Sequence, residues 1–409
     1  MRFKFLGGAE EVGKLGLMVE LGTTKLLLDY GFTPGKPPKY PLEAQSVDLA
    51  LLTHCHIDHS GMMPWLCSKY DTPVVGNSLT AWLTELLTRD SLKIAKFEGY
   101  GIPFQKPDIG KMMGNFSFVK YNDVIDVAGV EIECHSSGHI PGSTMFELKN
   151  DEKTILFTSD LNTINTQLVW NAHPVKCNYL FIEGTYAGRD HADRAEIERK
   201  FLAKVEEVID RRGKVIVPVF AVGRAQEIML LLKDTAYDIW LDGMSKDVNT
   251  LLLECPEYLR NAKALERAVR RTKIVRSESA RKRAAKDCDI VITTSGMLDG
   301  GPVLEYIKNL NTERNAVLLT GYQVKGSNGR RLLDEKKLNF YGIVQKVNCM
   351  CQYFDFSAHC GHKELVSFIK ACKPDKVIIY HSDNRKPLVE ALSTEYEVYT
   401  PNNGEVSEI

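Results

Sequence analysis

The sequence predicts an α/β protein in which a compact helix–strand domain interrupts a strand-rich one, and three observations carry that reading. In the first part of the chain, short apolar runs end in polar residues. Run 25–31 closes around Asp29, 47–53 leads to a histidine cluster, 154–159 leads to Asp160, and 179–182 leads to Glu183. From about residue 190, helical segments alternate with strands, the pattern of a parallel sheet. After about residue 352 the chain returns to histidine-bearing loops and one further strand, 376–380.

Each element has a local cause. The runs 25–31, 47–53, 154–159 and 179–182 are apolar at strand length. Their polar ends lie where sheet proteins gather an active site. In the interrupting part, 194–212 has helical periodicity and is closed by Gly213. A strand at 214–220 and a helix at 225–233 follow. The runs 289–294 and 315–320 are strands that end in glycine-containing loops. No internal repeat or low-complexity segment is present.

Size and composition narrow the classes. The chain has 409 residues, which suggests two domains. Hydrophobic residues make up 44%, enough for a substantial core and unlike a disordered or fibrous protein. Met1 to Gly8 lacks the apolar run and cleavage site of a secretory signal. No stretch approaches the roughly 18 uninterrupted apolar residues that span a bilayer. A soluble, cytoplasmic protein without a membrane partner is the expectation. Ten cysteines show no C-x-x-C spacing, so reduced and mostly buried thiols are expected. Cys349 and Cys351 alternate in an apparent strand; packing is the plain reading and a redox or metal role the lesser one.

The net charge of −1 excludes global polyanion binding, but the distribution is uneven. Between Arg260 and Lys286 there are eleven basic residues against Glu266 and Glu278. Such a run is either a solvated helix face or a surface that follows phosphates, and the run alone does not separate them.

The chemistry concentrates at His54-Cys55-His56-Ile57-Asp58-His59. One histidine in a strand is usually a core or surface residue. Three imidazoles and a carboxylate within six residues would demand many hydrogen bonds if buried without a metal. Both groups are good ligands for zinc and similar ions. Cys55 lies between alternating His54 and His56, so it points away and packs. Further ligands are available at His139, in a turn-rich segment, and at Asp160 and His381, at strand ends. Each alone is weak evidence. Together they make seven N or O ligands, and a carboxylate can bridge two ions.

This pattern, with the Gly138-His139-Ile140-Pro141-Gly142-Ser143 loop, resembles the metallo-β-lactamase fold, which implies an αββα sandwich. Mapped onto this chain, the resemblance gives His54, His56 and His139 to one zinc. It gives Asp58, His59 and His381 to the other, with Asp160 as the bridge. Asp29 matches the first motif of the fold and is implied to support the site by hydrogen bonding to a ligand.

The interrupting domain narrows the resemblance. Glu183-Gly184-Thr185-Tyr186 looks like motif A of the β-CASP nucleases, Phe356-Ser357-Ala358-His359 like motif B, and His381 occupies motif C. The segments 217–227, 294–298 and 320–330 are similar to β-CASP sequences as well. The implied division is a metallo-β-lactamase domain at 1–187 and 352–409 with a β-CASP domain at 188–351. A histidine in motif C is typical of the RNA branch, whereas the DNA branch carries an apolar residue there. The overall likeness is to archaeal proteins similar to the nuclease subunit of cleavage and polyadenylation specificity factor, in short forms without KH domains.

The resemblance implies a ribonuclease with two Zn²⁺ per chain, acting on single-stranded RNA in processing or decay, as endonuclease, 5′-3′ exonuclease or both. It also implies homodimerisation or membership of an RNA-processing complex. His359, alone no more than a loop histidine, becomes the candidate general acid with Glu183 as its partner, and Asp58 joins them among the catalytic residues. Gly326, Ser327, Lys325 and Arg330 are candidate phosphate contacts, because a glycine-containing loop can offer backbone N–H groups. Arg224 is either a phosphate contact or a structural ion-pair partner. Two positions depart from the usual pattern: Cys360-Gly361 follows motif B in place of Ala-Asp, and motif C reads His381-Ser382-Asp383 in place of His-Gly-Glu. Neither removes a ligand. Two other readings are a DNA nuclease on this scaffold, opposed by His381, and a non-catalytic RNA-binding scaffold, opposed by the full ligand set. A hydrolase of small esters would leave the interrupting domain unexplained.

Overall fold

Apolar strands sort the chain into two sheets within one unit and, within another, a six-stranded sheet and a two-stranded one. The computed structural model describes residues 1–150 and 153–409. The first unit comprises 1–165, 171–190 and 358–409; the second comprises 166–170 and 191–357.

In the first unit two seven-stranded sheets pack face to face. One runs Val406–Glu408, Arg2–Gly7, Gly16–Leu21, Thr24–Tyr30, Leu49–Leu51, Val74–Gly76, Phe116–Phe118. The other runs Glu397–Tyr399, Lys376–Tyr380, Tyr179–Glu183, Thr154–Phe157, Thr144–Lys149, Val130–Ser136, Val124–Val127. Their inner faces share one core, in which Phe3, Phe5 and Leu28 of the first sheet meet Phe157, Phe181 and Tyr380 of the second. The outer faces take helices. Leu27 and Leu52 pack with Leu66 of helix Met63–Tyr70 and Ile109 of helix Lys106–Gly114. Leu180 and Ile379 pack with Leu365 and Ile369 of helix His362–Cys372. This is an αββα sandwich. Central strands covered on both faces read as unbroken apolar runs rather than alternating ones.

The second unit holds a six-stranded sheet in the order Lys273–Ile274, Ile239–Asp242, Ile290–Thr293, Val215–Pro218, Ala316–Leu319, Met350–Tyr353, parallel throughout. Its four central strands are buried at every position. Helix Arg194–Asp210 begins where the Asp193 side chain accepts the Glu196 N–H. It ends two residues short of the expected boundary, because Arg212 turns left-handed (φ 59°). A Cβ on Gly213 would lie 1.9 Å from the Arg314 carbonyl, so only glycine fits there. The strand expected over 47–53 is regular only at Leu49–Leu51; Leu52 N–H still donates to the Val75 carbonyl, and Thr53 N–H turns instead to the Asp29 carboxylate.

All ten cysteines are free thiols, nine of them buried. Burial pushes the Cys55 thiol far above its ordinary value, which suits a packing residue. Cys351 donates to the Cys349 carbonyl. Among the described residues no helix is long and apolar enough to cross a membrane.

Candidate metal centre

The histidine cluster sits where the Thr24–Tyr30 and Leu49–Leu51 strands, paired in parallel, release their chains together. Asp29 closes the first strand in a left-handed conformation (φ 56°), and Ser159 and His381 end two others in the same way (φ 54° and 51°). Non-glycine residues rarely adopt this region. Here it turns three strand ends into one pocket. Gly31 lets the chain pass: a Cβ there would lie 2.0 Å from the Asp58 backbone. A one-turn helix, Ile57–Ser60, then carries Asp58 and His59.

Two groups of potential ligand atoms result. His54, His56, His139 and Asp160 form one; Asp58, His59 and His381 form the other. In the first, His54 Nε2 lies 3.1 Å from His56 Nδ1, and His139 Nε2 lies 3.2 Å from the same atom. Asp160 Oδ2 is 3.6 Å from His54 Nε2 and 3.5 Å from His139 Nε2. A tetrahedron with zinc–ligand bonds of about 2.0–2.1 Å has edges of about 3.3 Å, so this group has the size of a zinc site. In the second group, the other Asp160 oxygen lies 3.4 Å from His59 Nε2 and 3.2 Å from His381 Nδ1. Asp58 Oδ2 is 4.0 Å from His59 Nε2 and 3.8 Å from His381 Nε2, a looser arrangement. His381 Nε2 also accepts the Gly13 N–H at 3.0 Å, so ligation through Nδ1 requires that bond to be given up.

His59 Nε2, Asp160 Oδ1 and His381 Nδ1 are buried without a well-formed hydrogen bond. Three such atoms facing one another would be costly in a finished core, and a divalent cation satisfies all three.

The candidate ligands are braced from behind. His59 Nδ1 lies 2.8 Å from Asp29 Oδ2, and Asp29 accepts the Thr53 N–H and hydroxyl at 2.8 and 2.7 Å. His139 Nδ1 donates to the Ala358 carbonyl at 2.8 Å, leaving Nε2 for the cluster. His54 Nδ1 faces the Thr53 hydroxyl at 3.1 Å and the Ser159 hydroxyl at 3.4 Å. Thr53, Ser159, Gly13 and Ala358 were not singled out from sequence. Thr53 and Ser159 had one signal, adjacency to a ligand at a strand end.

Charge sharing follows burial. Burial lowers His54 and His139 well below the ordinary imidazole value. It also pulls on His59 and His381, but Asp160 and its neighbours outweigh it. His59 is held well above its ordinary value and His381 is pushed up to about 9. Burial raises Asp160, yet His59, His359 and His381 outweigh that and hold it well down. The carboxylates of Asp160 and Asp58 thus favour positive charge on this side of the cluster, as they would favour a bound cation.

Beside this cluster, His359 Nδ1 lies 2.9 Å from Glu183 Oε1, and His359 Nε2 is 3.9 Å from Asp160 Oδ2. Glu183 is fully buried and also accepts the Leu161 and Thr185 N–H groups, each at 3.0 Å. Burial lowers His359, but Glu183 and Asp160 outweigh it and raise its basicity.

Arg224, Lys325, Gly326, Ser327 and Arg330 belong to the second unit. The expectation that the 326–329 loop offers free backbone donors needs correction at residues 327–329. Ser327 N–H donates to Val324 O and Gly329 N–H to Met297 O. Asn328 N–H donates to the Asp299 carboxylate at 2.8 Å, and Arg330 N–H to Ser327 Oγ at 3.2 Å. An acid of the chain itself already caps this helix start. Arg330 pairs with Asp334 at 2.8 Å, while Lys325 is exposed.

Arg224 offered two readings, a phosphate contact or a structural ion-pair partner, and its surroundings bear on both. The adjacent acid, Glu227, is bonded to Arg194 at 2.8 Å and to the Gln167 and Leu168 N–H groups. Arg224 Nε is buried without a hydrogen bond, and its guanidinium lies 5.9 Å from the Phe356 ring. Burial and the like charge of Arg194 lower its basicity to about 10. Breaking a buried ion pair costs about 3–5 kcal/mol. Arg224→Gln breaks none, so its melting temperature is expected to hold or rise while RNA affinity falls. A marked drop in melting temperature would show that the guanidinium is structural.

Comparison with known proteins agrees with this geometry. Residues 18–176 match the metallo-beta-lactamase superfamily domain, 225–332 the Beta-Casp domain, and 344–401 the Zn-dependent metallo-hydrolase RNA specificity domain. The chain is 37% identical to a protein named probable RNase MJ4 from Methanocaldococcus jannaschii, over 99% of each. It is 32% identical to RNase aCSPSF2 of Saccharolobus solfataricus, over 98% of this chain and 84% of that one. It is also 32% identical to the transcription termination factor FttA of M. jannaschii, over 95% of this chain and 68% of that one. A crystal structure of an Enterococcus faecalis V583 protein of unknown function shares the fold, with a TM-score of 0.67 at 15% identity, covering 100% of this chain and 99% of that one.

Proposed function

We propose that this chain, which belongs to the β-CASP family of metallo-β-lactamase-fold proteins, cuts single-stranded RNA with two zinc ions held by His54, His56, Asp58, His59, His139, Asp160 and His381. It is a metal-dependent ribonuclease. The observation that carries the two-ion reading is the orientation of Asp160. One oxygen faces His54 and His139, and the other faces the orphaned nitrogens of His59 and His381.

The seven side chains would hold two such ions, which would supply activation of water at neutral pH and neutralisation of charge on the phosphate oxygens. The chain supplies the rest. Asp29 orients His59 through a 2.8 Å contact. Glu183 holds His359 by its Nδ1–H, and His359 Nε2 gives a proton to the leaving ribose oxygen. Glu183 also favours the protonated form that this step needs. Endonucleolytic and 5′-3′ exonucleolytic action both fit this chemistry; a circular RNA separates them, because only an endonuclease opens it. The likeness to proteins named transcription termination factor supports nascent transcripts as a narrower substrate.

Metal analysis tests the reading. About two zinc ions per chain are expected after dialysis, with activity lost on chelation and restored by zinc. A fully active preparation holding one ion or none would overturn the two-ion mechanism.

A further inference from the structure

The basic run between Arg260 and Lys286 is not uniform. Arg271 is bonded to the carbonyls of Leu232, Lys233 and Tyr237, and Arg281 pairs with Asp242 at 2.6 Å. These cations hold the fold. The exposed face of helix Ala262–Arg271 differs. Its buried side is Ala264, Leu265 and Ala268, which turns Lys263, Arg267 and Arg270 outward at i, i+4 and i+7. Arg270 is paired with Glu266. Among the described residues, Lys263 and Arg267 have no acidic partner.

At the start of this run stands Trp170, 56% exposed. It is the chain's most exposed tryptophan: Trp65 and Trp82 are half-buried and Trp240 is buried. Its loop is rigidly made. Thr166 Oγ1 accepts the Leu168 and Val169 N–H groups, and Glu227 accepts those of Gln167 and Leu168. Arg260 donates to the Thr166 carbonyl, and its guanidinium lies 4.8 Å from the centre of the Trp170 ring. A cation over an indole restrains the ring, and Trp170 nonetheless keeps 56% of its surface in water. A large aromatic kept in water on a hydrogen-bonded loop, held by Arg260 two residues before the helix that carries the acid-free cations Lys263 and Arg267, has the parts of a single-strand binding surface, where bases stack and phosphates meet charge.

We propose that Trp170 and the outer face of helix Ala262–Arg271 form a track for single-stranded RNA. One base stacks on the exposed indole, and phosphates lie against Lys263 and Arg267. Residues four apart on a helix stand about 6 Å apart along its axis, a spacing that successive backbone phosphates can follow. The track rests on the ribonuclease reading and adds a binding element remote in sequence from every metal-ligand candidate except Asp160. Stacking tolerates any base but favours purines, so the track predicts an adenine-over-uracil preference without a sequence code.

The test uses the full chain with Asp160→Ala, so that RNA is bound and not cut, and short oligoadenylate and oligouridylate as probes. Oligoadenylate should quench tryptophan emission in this parent, and Trp170→Phe should abolish the quench. Trp170→Ala should weaken oligoadenylate binding roughly 10- to 100-fold and oligouridylate binding less, with Trp170→Phe restoring part of the affinity. Lys263→Gln with Arg267→Gln should weaken both probes alike and reduce the logarithmic salt slope by about 1.4, or 0.7 per phosphate lost. Intact parent binding with no quench and no change on these substitutions would overturn the track alone. Failure of the parent to bind RNA would overturn the ribonuclease reading with it.

Discussion

Asp160→Ala is expected to reduce RNA cleavage by about 10⁴-fold or more, to strip zinc from the protein, and to leave RNA binding largely intact. Loss of an outer hydrogen-bond partner of a metal ligand costs roughly 10–100-fold. Asp160 stands closer in: its two oxygens face four imidazoles at 3.2–3.6 Å, two in each ligand group. Removing it takes a ligand from both groups and leaves His59 and His381 without the carboxylate that holds their basicity high. Asp29→Asn is the comparison. It disturbs only the support of His59 and the Thr53 contacts, so a loss within roughly 10–100-fold with zinc retained is expected. Turnover of labelled RNA, zinc content and RNA affinity are measured together. Wild-type turnover by Asp160→Ala would reject the shared-ligand assignment. His381→Ala should behave as Asp160→Ala does, and it tests the looser of the two groups.

His359→Ala is expected to slow cleavage by roughly 10²–10⁴-fold, the range for losing a positioned proton donor. Zinc content should stay unchanged, because the seven other side chains account for both groups. The deficit should shrink on an RNA analogue with sulfur as the leaving atom, since a thiolate departs without a proton. Glu183→Gln should act in the same direction for a geometric reason. Glu183 accepts from three N–H groups, and an amide can present oxygen to only part of that set. The deciding quantity is the rate ratio of wild type to His359→Ala on oxygen and sulfur leaving groups. Equal deficits would mean that His359 does not protonate the leaving group, and loss of zinc would mean that it is a ligand.

Much of the site could be read before folding, because its densest part is local. His54, His56, Asp58 and His59 lie within one strand end and one helical turn, so alternation already separates His54 and His56 from Cys55. The same holds for the helix at 194–210 and the parallel strands at 215–218, 290–293 and 316–319, whose apolar runs and caps are written in contiguous residues. Strand-end polar residues also marked Asp160, Glu183 and His381 as candidates.

Pairings across long sequence separations came only with the tertiary structure, because sheet register and packing set them. Sequence could not say which oxygen of Asp160 faces which histidine, nor that Gly13 reaches His381 across 368 residues. It left Arg224 between two roles; only folding shows that the adjacent acid, Glu227, is engaged by Arg194 and the 166–170 loop. It suggested free donors in the 326–329 loop, where Asp299 and Met297, distant in sequence, already accept those of Asn328 and Gly329. It read the basic run as one feature, whereas folding divides it into cations bonded within the domain and cations left to solvent. Residue chemistry is local and legible in the chain itself. Which donors, acceptors and charges remain unspent is a property of the packed whole, since each group's partner is supplied by a segment that only folding brings beside it.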